Sequence, residues 1–266
     1  ATFTPAAEGS WDDMPAVDDI MPWYSPGVFP TRTWVYAPSP ATLQQRWNTL
    51  IAETNPVRRA ELFKPGRDAG PDKGKSALPG SDTHKAQVAI EADAVTHPSP
   101  IRVGYRSFDR QWVLPDARLM DMPRPSLWAA RVPGQVFVVE QHRKRIKDGP
   151  ALVFSALIPD YDHFKGSEGG RTLPLLQPDK SPNFAPGLLD ALRASLHDRD
   201  LRPLDLLAYI AALAAHPGFT STFADELVTP GVRVPIAAEA GLWKAAVALG
   251  HEVLWLHTYG EISADP

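Results

Sequence analysis

Proline is the residue that most limits what this chain can fold into. It occurs 28 times among 266 residues, about twice its usual share. Proline donates no backbone hydrogen bond and interrupts helices and central strands, so this frequency predicts many turns and short elements. Apolar residues make up 44% of the chain and charged residues 22%, which predicts a globular protein long enough for one large domain or two small ones.

The composition also excludes several classes of protein. Without cysteine, the chain has no disulfide, no thiolate metal site and no cysteine nucleophile. No apolar run approaches the roughly 18 residues needed to cross a bilayer, and the amino terminus lacks the basic-then-apolar pattern of a signal peptide. We therefore expect a cytoplasmic protein without a membrane partner.

Segments of strand character occupy the first two thirds of the chain. β-branched and aromatic runs bounded by turn residues predict strands at 33–36, 88–90, 101–105, 112–114, 135–139 and 152–158. One amphipathic helix is predicted from Pro40 to about Thr54. Residues 64–81 contain almost nothing apolar and predict a mobile loop whose basic residues could reach a partner.

The last third changes to helical periodicity. Leucine stripes predict helices near residues 188–196, from Pro203, and from about Ala238, with a shorter helix near 219–227. Gly250 is an expected weak point inside the last of these. Strands therefore precede helices, and the predicted class is α+β, with a mixed or antiparallel central sheet and carboxy-terminal helices packed on it.

Catalytic templates are absent from the sequence. We find no GxSxG elbow, no phosphate-binding GxxxxGK[ST] loop, no HExxH and no GxGxxG. A metal nuclease of the PD…(D/E)xK kind could start at Pro159, but Asp162 and Lys165 have the wrong spacing. The histidines are scattered and favour structural roles over a metal site. We expect a chain that is not itself an enzyme and needs no cofactor or metal.

Charge distribution gives the positive signal. Between residues 101 and 147, ten cations and four acidic residues give a local net charge of +6, in a chain whose total is -4. Arginine pairs bidentately with phosphate and with guanine, so we predict one continuous cationic face for a nucleic acid. The predicted base contacts are Arg106, Arg110, Arg118 and Arg124; the predicted phosphate contacts are Arg143, Lys144, Arg145 and Lys147. The alternative is a solvated strand face neutralised by Asp109, Asp116 and Asp121.

Several further motifs follow one another along nearly the whole chain. They are YRSFDRQW at 105–112, MPWYSPG at 21–27 with RTW at 32–34, GGR at 169–171 with LPL at 173–175, DLLAY at 205–209, AHP at 215–217 and LWLHTYGE at 254–261. The first is similar to the Y-R-x-F-D-x-R/Q-W signature of large single-chain type ISP restriction-modification enzymes. The others, in the same order, resemble the carboxy-terminal region of that family.

The resemblance implies a division of labour. In that family one polypeptide joins a nuclease, a helicase-like ATPase, an adenine methyltransferase and a final target-recognition domain. Residues 1–90 would be a linker and an aromatic and helical segment joined to the upstream methyltransferase. Residues 91–266 would be the DNA target-recognition domain, β-rich at 91–178 and helical at 183–266. The implied partners are duplex DNA and the upstream domains, and Arg32 joins the expected DNA-contacting residues.

Two alternatives remain open. The chain could be a protein-interaction module in which the leucine stripes and the aromatic segment 23–36 dock a partner. It could also be a hydrolase whose dispersed histidine, aspartate and glutamate residues converge only in the fold.

Overall fold

Short helices run through the whole structure, a computed structural model that describes residues 11–81, 87–93, 97–141, 149–164 and 170–263. Five of the α-helices begin at a proline. Proline is tolerated there because a backbone N–H in the first turn has no acceptor within the helix. The α-helices in these ranges are α1 (Val17–Ile20), α2 (Pro40–Ala52), α3 (Pro56–Phe63), α4 (Pro125–Ala129), α5 (Leu188–Ser195), α6 (Pro203–Ala215), α7 (Pro217–Thr222) and α8 (Ala240–His257).

The strands form two antiparallel sheets instead of the single central sheet expected. They are β1 (Ser25–Pro26), β2 (Tyr36–Ala37), β3 (Ile101–Arg106), β4 (Asp109–Val113), β5 (Phe137–Gln141), β6 (Val153–Ser155) and β7 (Gly170–Pro174). One sheet has the order β1-β7-β5-β6 and the other β2-β4-β3. The α+β class is confirmed, but the alternation of apolar residues along a strand does not reveal which strands pair.

Two of the predicted strands are not formed as expected. Thr33–Val35 makes a 3-10 turn, with β2 beginning at Tyr36, and of 88–90 only Ile90 belongs to a regular element, the 3-10 turn Ile90–Ala92. An apolar run of three or four residues fits a helical turn as well as a strand, so its periodicity does not distinguish them.

The first of two hydrophobic cores joins the four-stranded sheet to the carboxy-terminal helices. Val138 and Leu173 from the sheet are buried together with Leu207 of α6 and Trp243 of α8. The predicted packing of these helices on a sheet is confirmed.

The second core surrounds the β3–β4 hairpin. Val103 of the hairpin is buried with Trp47 of α2, Ile90 and Leu127 of α4. The expected boundary between residues 90 and 91 therefore lies within this core. Phe137 of β5 also belongs to it, whereas Val136 and Val138 on either side belong to the first core, because side chains alternate between the two faces of a strand.

Gly250, the expected weak point of α8, lies where the backbones of α6 and α8 come close together. A Cβ at this position would overlap the backbone carbonyl of Ala208 in α6. Next to this contact, the Tyr209 and Trp243 rings stack with centroids 4.1 Å apart. The absence of a side chain thus allows the two longest apolar helices to pack closely.

Candidate nucleic-acid interface

Arg106, at the end of β3, closes over a buried acid. Its Nη1 donates to Asp160 Oδ1 at 2.7 Å, and its Cζ lies 4.0 Å from the centre of the Tyr105 ring. Asp160 also accepts a hydrogen bond from the Tyr36 hydroxyl. Because 32% of the Arg106 side chain stays exposed, the guanidinium remains accessible from solvent.

Burial dominates the protonation of the groups beneath Arg106. It raises the pKa of Asp160 to about 6, although the hydrogen bond from Tyr36 and the charge of Arg106 oppose it. Burial also lowers the pKa of His163 to about 4, and His163 Nδ1 lies 3.2 Å from the carbonyl oxygen of Gly104. Both side chains lie inside the protein, where no substrate reaches them.

Replacing Asp160 with asparagine is expected to remove a pH dependence of stability. A carboxyl whose pKa is higher in the folded chain favours folding while it is protonated, and that contribution is lost as the pH rises through about 6. From about pH 4.5 to about pH 7, the native protein should lose about 2 kcal/mol relative to Asp160→Asn. Urea unfolding of both proteins across this range measures the difference, and parallel profiles would contradict the raised pKa.

Arg110 of β4 binds the end of α8. Its Nη1 lies 2.5 Å from Glu261 Oε1, its Nη2 donates to the Thr258 carbonyl oxygen, and its Cζ lies 4.1 Å from the centre of the Tyr259 ring. The side chain is only 14% exposed. Arg110 therefore attaches the hairpin to the last helix, and its expected base contact, which stays a prediction, would require leaving these partners.

Arg118 is completely enclosed. Its side chain is 0% exposed and pairs with Asp116 at 2.6 Å and with Asp93 at 2.7 Å. Burial alone would lower the pKa of Arg118, but the hydrogen bonds and charges of Asp116 and Asp93 outweigh it and raise the pKa. A guanidinium without exposed surface does not contact a base, so the expected base contact of Arg118 does not fit the structure.

Arg32 is also used inside the protein. Its guanidinium donates to the carbonyl oxygens of Lys64 and Leu119, and its Nη2 lies 3.1 Å from Asp121 Oδ1. Asp121 also accepts from the Thr31 hydroxyl. Burial would raise the pKa of Asp121, but the hydrogen bonds from Thr31 and Arg32 lower it below its ordinary value. The pair is therefore a neutralised structural unit, and a DNA contact of Arg32 does not fit this burial.

Arg124 differs from the other three predicted base contacts. It precedes α4 with a left-handed backbone (φ 55°), and its side chain is partly exposed. Its Nη2 lies 3.1 Å from Met122 Sδ, and it forms no ion pair with the residues that the structure describes. Arg143, Lys144, Arg145 and Lys147 lie outside the described ranges, so their phosphate contacts stay a prediction.

The five predicted contacts that lie in the described residues do not form the continuous cationic face expected from the sequence. Arg32 and Arg118 are interior, Arg110 is bound to α8, and Arg106 and Arg124 are partly exposed. Two of the three aspartates named in the alternative interpretation, Asp116 and Asp121, do neutralise arginines. They do so as buried pairs and not on a solvated strand face.

A cavity of about 560 Å³ opens where three distant loops meet. The loops are residues 29–33, 64–67 and 121–122. Phe29, Pro65 and Met122 supply apolar wall, and Lys64 and Arg67 supply exposed cations.

Gly66 brings the middle loop against the Arg32–Asp121 pair. A Cβ at Gly66 would overlap the Asp121 carboxylate and lie 2.6 Å from Arg32 Nη2, and both of these side chains are buried and cannot move aside. Thr31 and Lys64 in the cavity wall have positive φ angles of 65° and 57°. Left-handed non-glycine residues cost energy and cluster at binding sites.

The sequence did not single out Lys64 and Arg67 as site residues. It marked residues 64–81 as a loop with basic residues able to reach a partner. The structure shows a loop anchored by buried Ala69 and Leu78, which gives these two cations a defined position. In the sequence, only the charge of the loop distinguished it from other connecting segments.

The two other interpretations find limited support. The stripes of α5 and α6 are largely buried in the first core, although Leu249 and Leu256 of α8 are exposed. Asp205, His251 and Ser263 form a hydrogen-bonded line, but Asp205 at the same time caps α6 and pairs with Arg202. Among the described residues, no group of three or more His, Cys, Asp or Glu could hold a metal ion.

The described helices include none that is long and apolar enough to cross a membrane. No curated protein matches this chain significantly.

Three solved structures share the fold. The cryo-EM structure of a DrdV–DNA complex matches with a TM-score of 0.64 and 21% identity, over 95% of this chain and 26% of that one. The type ISP enzyme LlaBIII bound to DNA matches with a TM-score of 0.59 and 12% identity, over 94% and 17%. A nuclease-deletion mutant of the type ISP enzyme LlaGI with a DNA substrate mimic matches with a TM-score of 0.55 and 13% identity, over 93% and 20%.

This chain thus spans about a quarter or less of the length of those three. The family model that matches is the type ISP C-terminal specificity domain, over residues 19–266. The chain belongs to the family of type ISP C-terminal specificity domains.

Proposed function

We propose that this chain is the target-recognition part of a type ISP restriction-modification enzyme and that it binds duplex DNA sequence-specifically in the cytoplasm. The observation that carries the proposal is the family match over residues 19–266, supported by a fold shared with enzymes solved on DNA. Adenine methylation, ATP hydrolysis and cleavage are then the work of methyltransferase, helicase-like and nuclease domains of the same polypeptide. The chain itself carries no catalytic step.

The accessible cations define the proposed contacts. Arg106 and Arg124 keep exposed surface and are the proposed base contacts, because arginine binds guanine bidentately in the major groove. The basic run from Arg143 to Lys147 is the proposed phosphate contact. Arg32, Arg110 and Arg118 support the fold in this proposal and do not read DNA.

Arg124→Ala is expected to separate sequence readout from general DNA affinity. The recognition sequence is first obtained by mapping methylation on genomic DNA treated with the parent enzyme. Fluorescence anisotropy then compares the cognate duplex with a scrambled duplex across a salt series. The variant should lose about 1 to 3 kcal/mol on the cognate site, relax one base position and bind the scrambled duplex nearly as before.

The matched control is Arg199→Ala, which removes an exposed arginine between α5 and α6 and should bind both duplexes as the native protein does. Native binding must also weaken steeply as salt increases. A native protein that does not prefer the cognate duplex, or whose DNA binding is insensitive to salt, would contradict the proposed function.

A further inference from the structure

We propose that the cavity between residues 29–33, 64–67 and 121–122 holds the sugar-phosphate backbone of one DNA strand, with Lys64 and Arg67 on a phosphate. The proposal rests on the proposed function and assigns a contact to residues that neither the motifs nor the family likeness identify. It adds to the proposed contacts of Arg143 to Lys147 a second phosphate contact, made by residues in the amino-terminal third of the chain.

The charge of the cavity supports an anion. Its lining holds the cations Arg32, Lys64 and Arg67 and one acid, Asp121. Arg32 and Asp121 neutralise each other, so the two cations at the opening supply the excess charge. Arg67 lies 3.6 Å from Asp68, but their side chains are 77% and 52% exposed, and such surface pairs are worth little. A phosphate competes easily with that partner.

The shape of the cavity supports a sugar beside the phosphate. At about 560 Å³ it has the size of sites that hold small organic ligands. Phe29, Pro65 and Met122 offer apolar surface that a bare phosphate would not use, whereas a deoxyribose ring packs on such surface. The exposed Thr33 in the same lining adds a hydroxyl donor. The combination fits a nucleotide backbone unit better than a free inorganic anion.

The loops are held in place before any ligand arrives. Thr31 and Lys64 adopt left-handed backbone conformations, and Gly66 packs against the buried Arg32–Asp121 pair. Lys75 donates to the Met120 carbonyl oxygen at 2.5 Å and so secures the third loop. A site organised in advance loses less entropy when it binds.

The salt dependence of DNA binding tests this assignment. Phosphate contacts do not depend on sequence, so a random-sequence duplex is the probe. Each cation that contacts a phosphate adds about 0.9 to the slope of log affinity against log salt, equivalent to about eightfold in affinity in roughly 0.1 M salt. The double variant Lys64→Ala, Arg67→Ala should therefore lose nearly 2 units of slope and about sixtyfold in affinity. The variant Lys64→Arg, which keeps the charge, should retain the native salt slope and the native affinity.

The charge-matched control is Arg199→Ala combined with Lys244→Ala, two exposed cations of the helical part. It should keep the native slope, and thermal melting should show that all variants are folded. If the native protein binds the duplex but the cavity variant behaves like the control, the cavity assignment is overturned while the proposed function stands. If the native protein does not bind duplex DNA, both the proposed function and the cavity assignment that rests on it are overturned.

Discussion

Replacing Gly250 with alanine is expected to destabilise the protein by about 3 kcal/mol or more. The new Cβ would occupy the space of the Ala208 carbonyl oxygen in α6. Backbone on both sides prevents local relaxation, so α6 and α8 must move apart and disturb the Tyr209–Trp243 stack. This cost exceeds the gain of up to about 1 kcal/mol that alanine brings to an ordinary helix position.

Urea unfolding and thermal melting measure the effect, with an expected fall in Tm of roughly 10 °C. Gly241→Ala is the matched control, because it lies in the same helix but the nearest atoms to its Cβ would be the end of the Glu239 side chain, which caps the helix, and not a backbone atom of another helix. That variant should change stability by less than about 1 kcal/mol. Equal effects of the two substitutions would contradict a backbone contact at Gly250.

Replacing Arg118 with alanine is expected to cost about 3 to 5 kcal/mol of stability, because Asp116 would stay buried without its cation. Arg118→Lys should recover only part of this, since one ammonium group does not reproduce the bonds from Nε, Nη1 and Nη2 to Asp116 and Asp93.

The comparison for Arg118 is Arg102→Ala on β3. Arg102 is exposed and lies over the Trp112 ring with its Cζ 5.5 Å from the centroid, so its loss should cost less than about 1 kcal/mol. Denaturant unfolding measures both variants. Native stability together with altered sequence preference in Arg118→Ala would contradict the structural role and favour a base contact.

The helices α2, α5, α6 and α8 were predictable because their signals are local, whereas the short helices α1, α3 and α4 were not predicted. A proline at the first helical position precedes the apolar periodicity of α2 and of α6, and both signals act within a few residues. The α+β class could be predicted because strands precede helices in the chain. The division into two sheets could not be predicted, because strand pairing depends on contacts between distant segments.

The partners of the arginines were not predictable either, because they also come from distant segments of the chain. Composition indicates that cations are abundant, but Arg32 and Asp121 are 89 residues apart in sequence, and Arg110 and Glu261 are 151 apart. Only the fold shows which guanidinium groups are already occupied. The cavity likewise combines three loops that no spacing rule connects, and Lys64 becomes a site residue only where the loops meet.

Strand β5 ties the hairpin to the helices in a way that bears on DNA reading. Consecutive side chains at its start lie in different cores. Phe137 packs into the second core, whereas Val138, like Val136 just before the strand, packs into the first. Local unfolding of either core must therefore disturb a strand that also contributes to the other core. The two cores thus belong to one cooperative unit. The segments that carry the proposed base contacts Arg106 and Arg124 thereby gain stiffness from distant helical packing. Under the proposed function, that stiffness would help to hold their guanidinium groups in register with base edges.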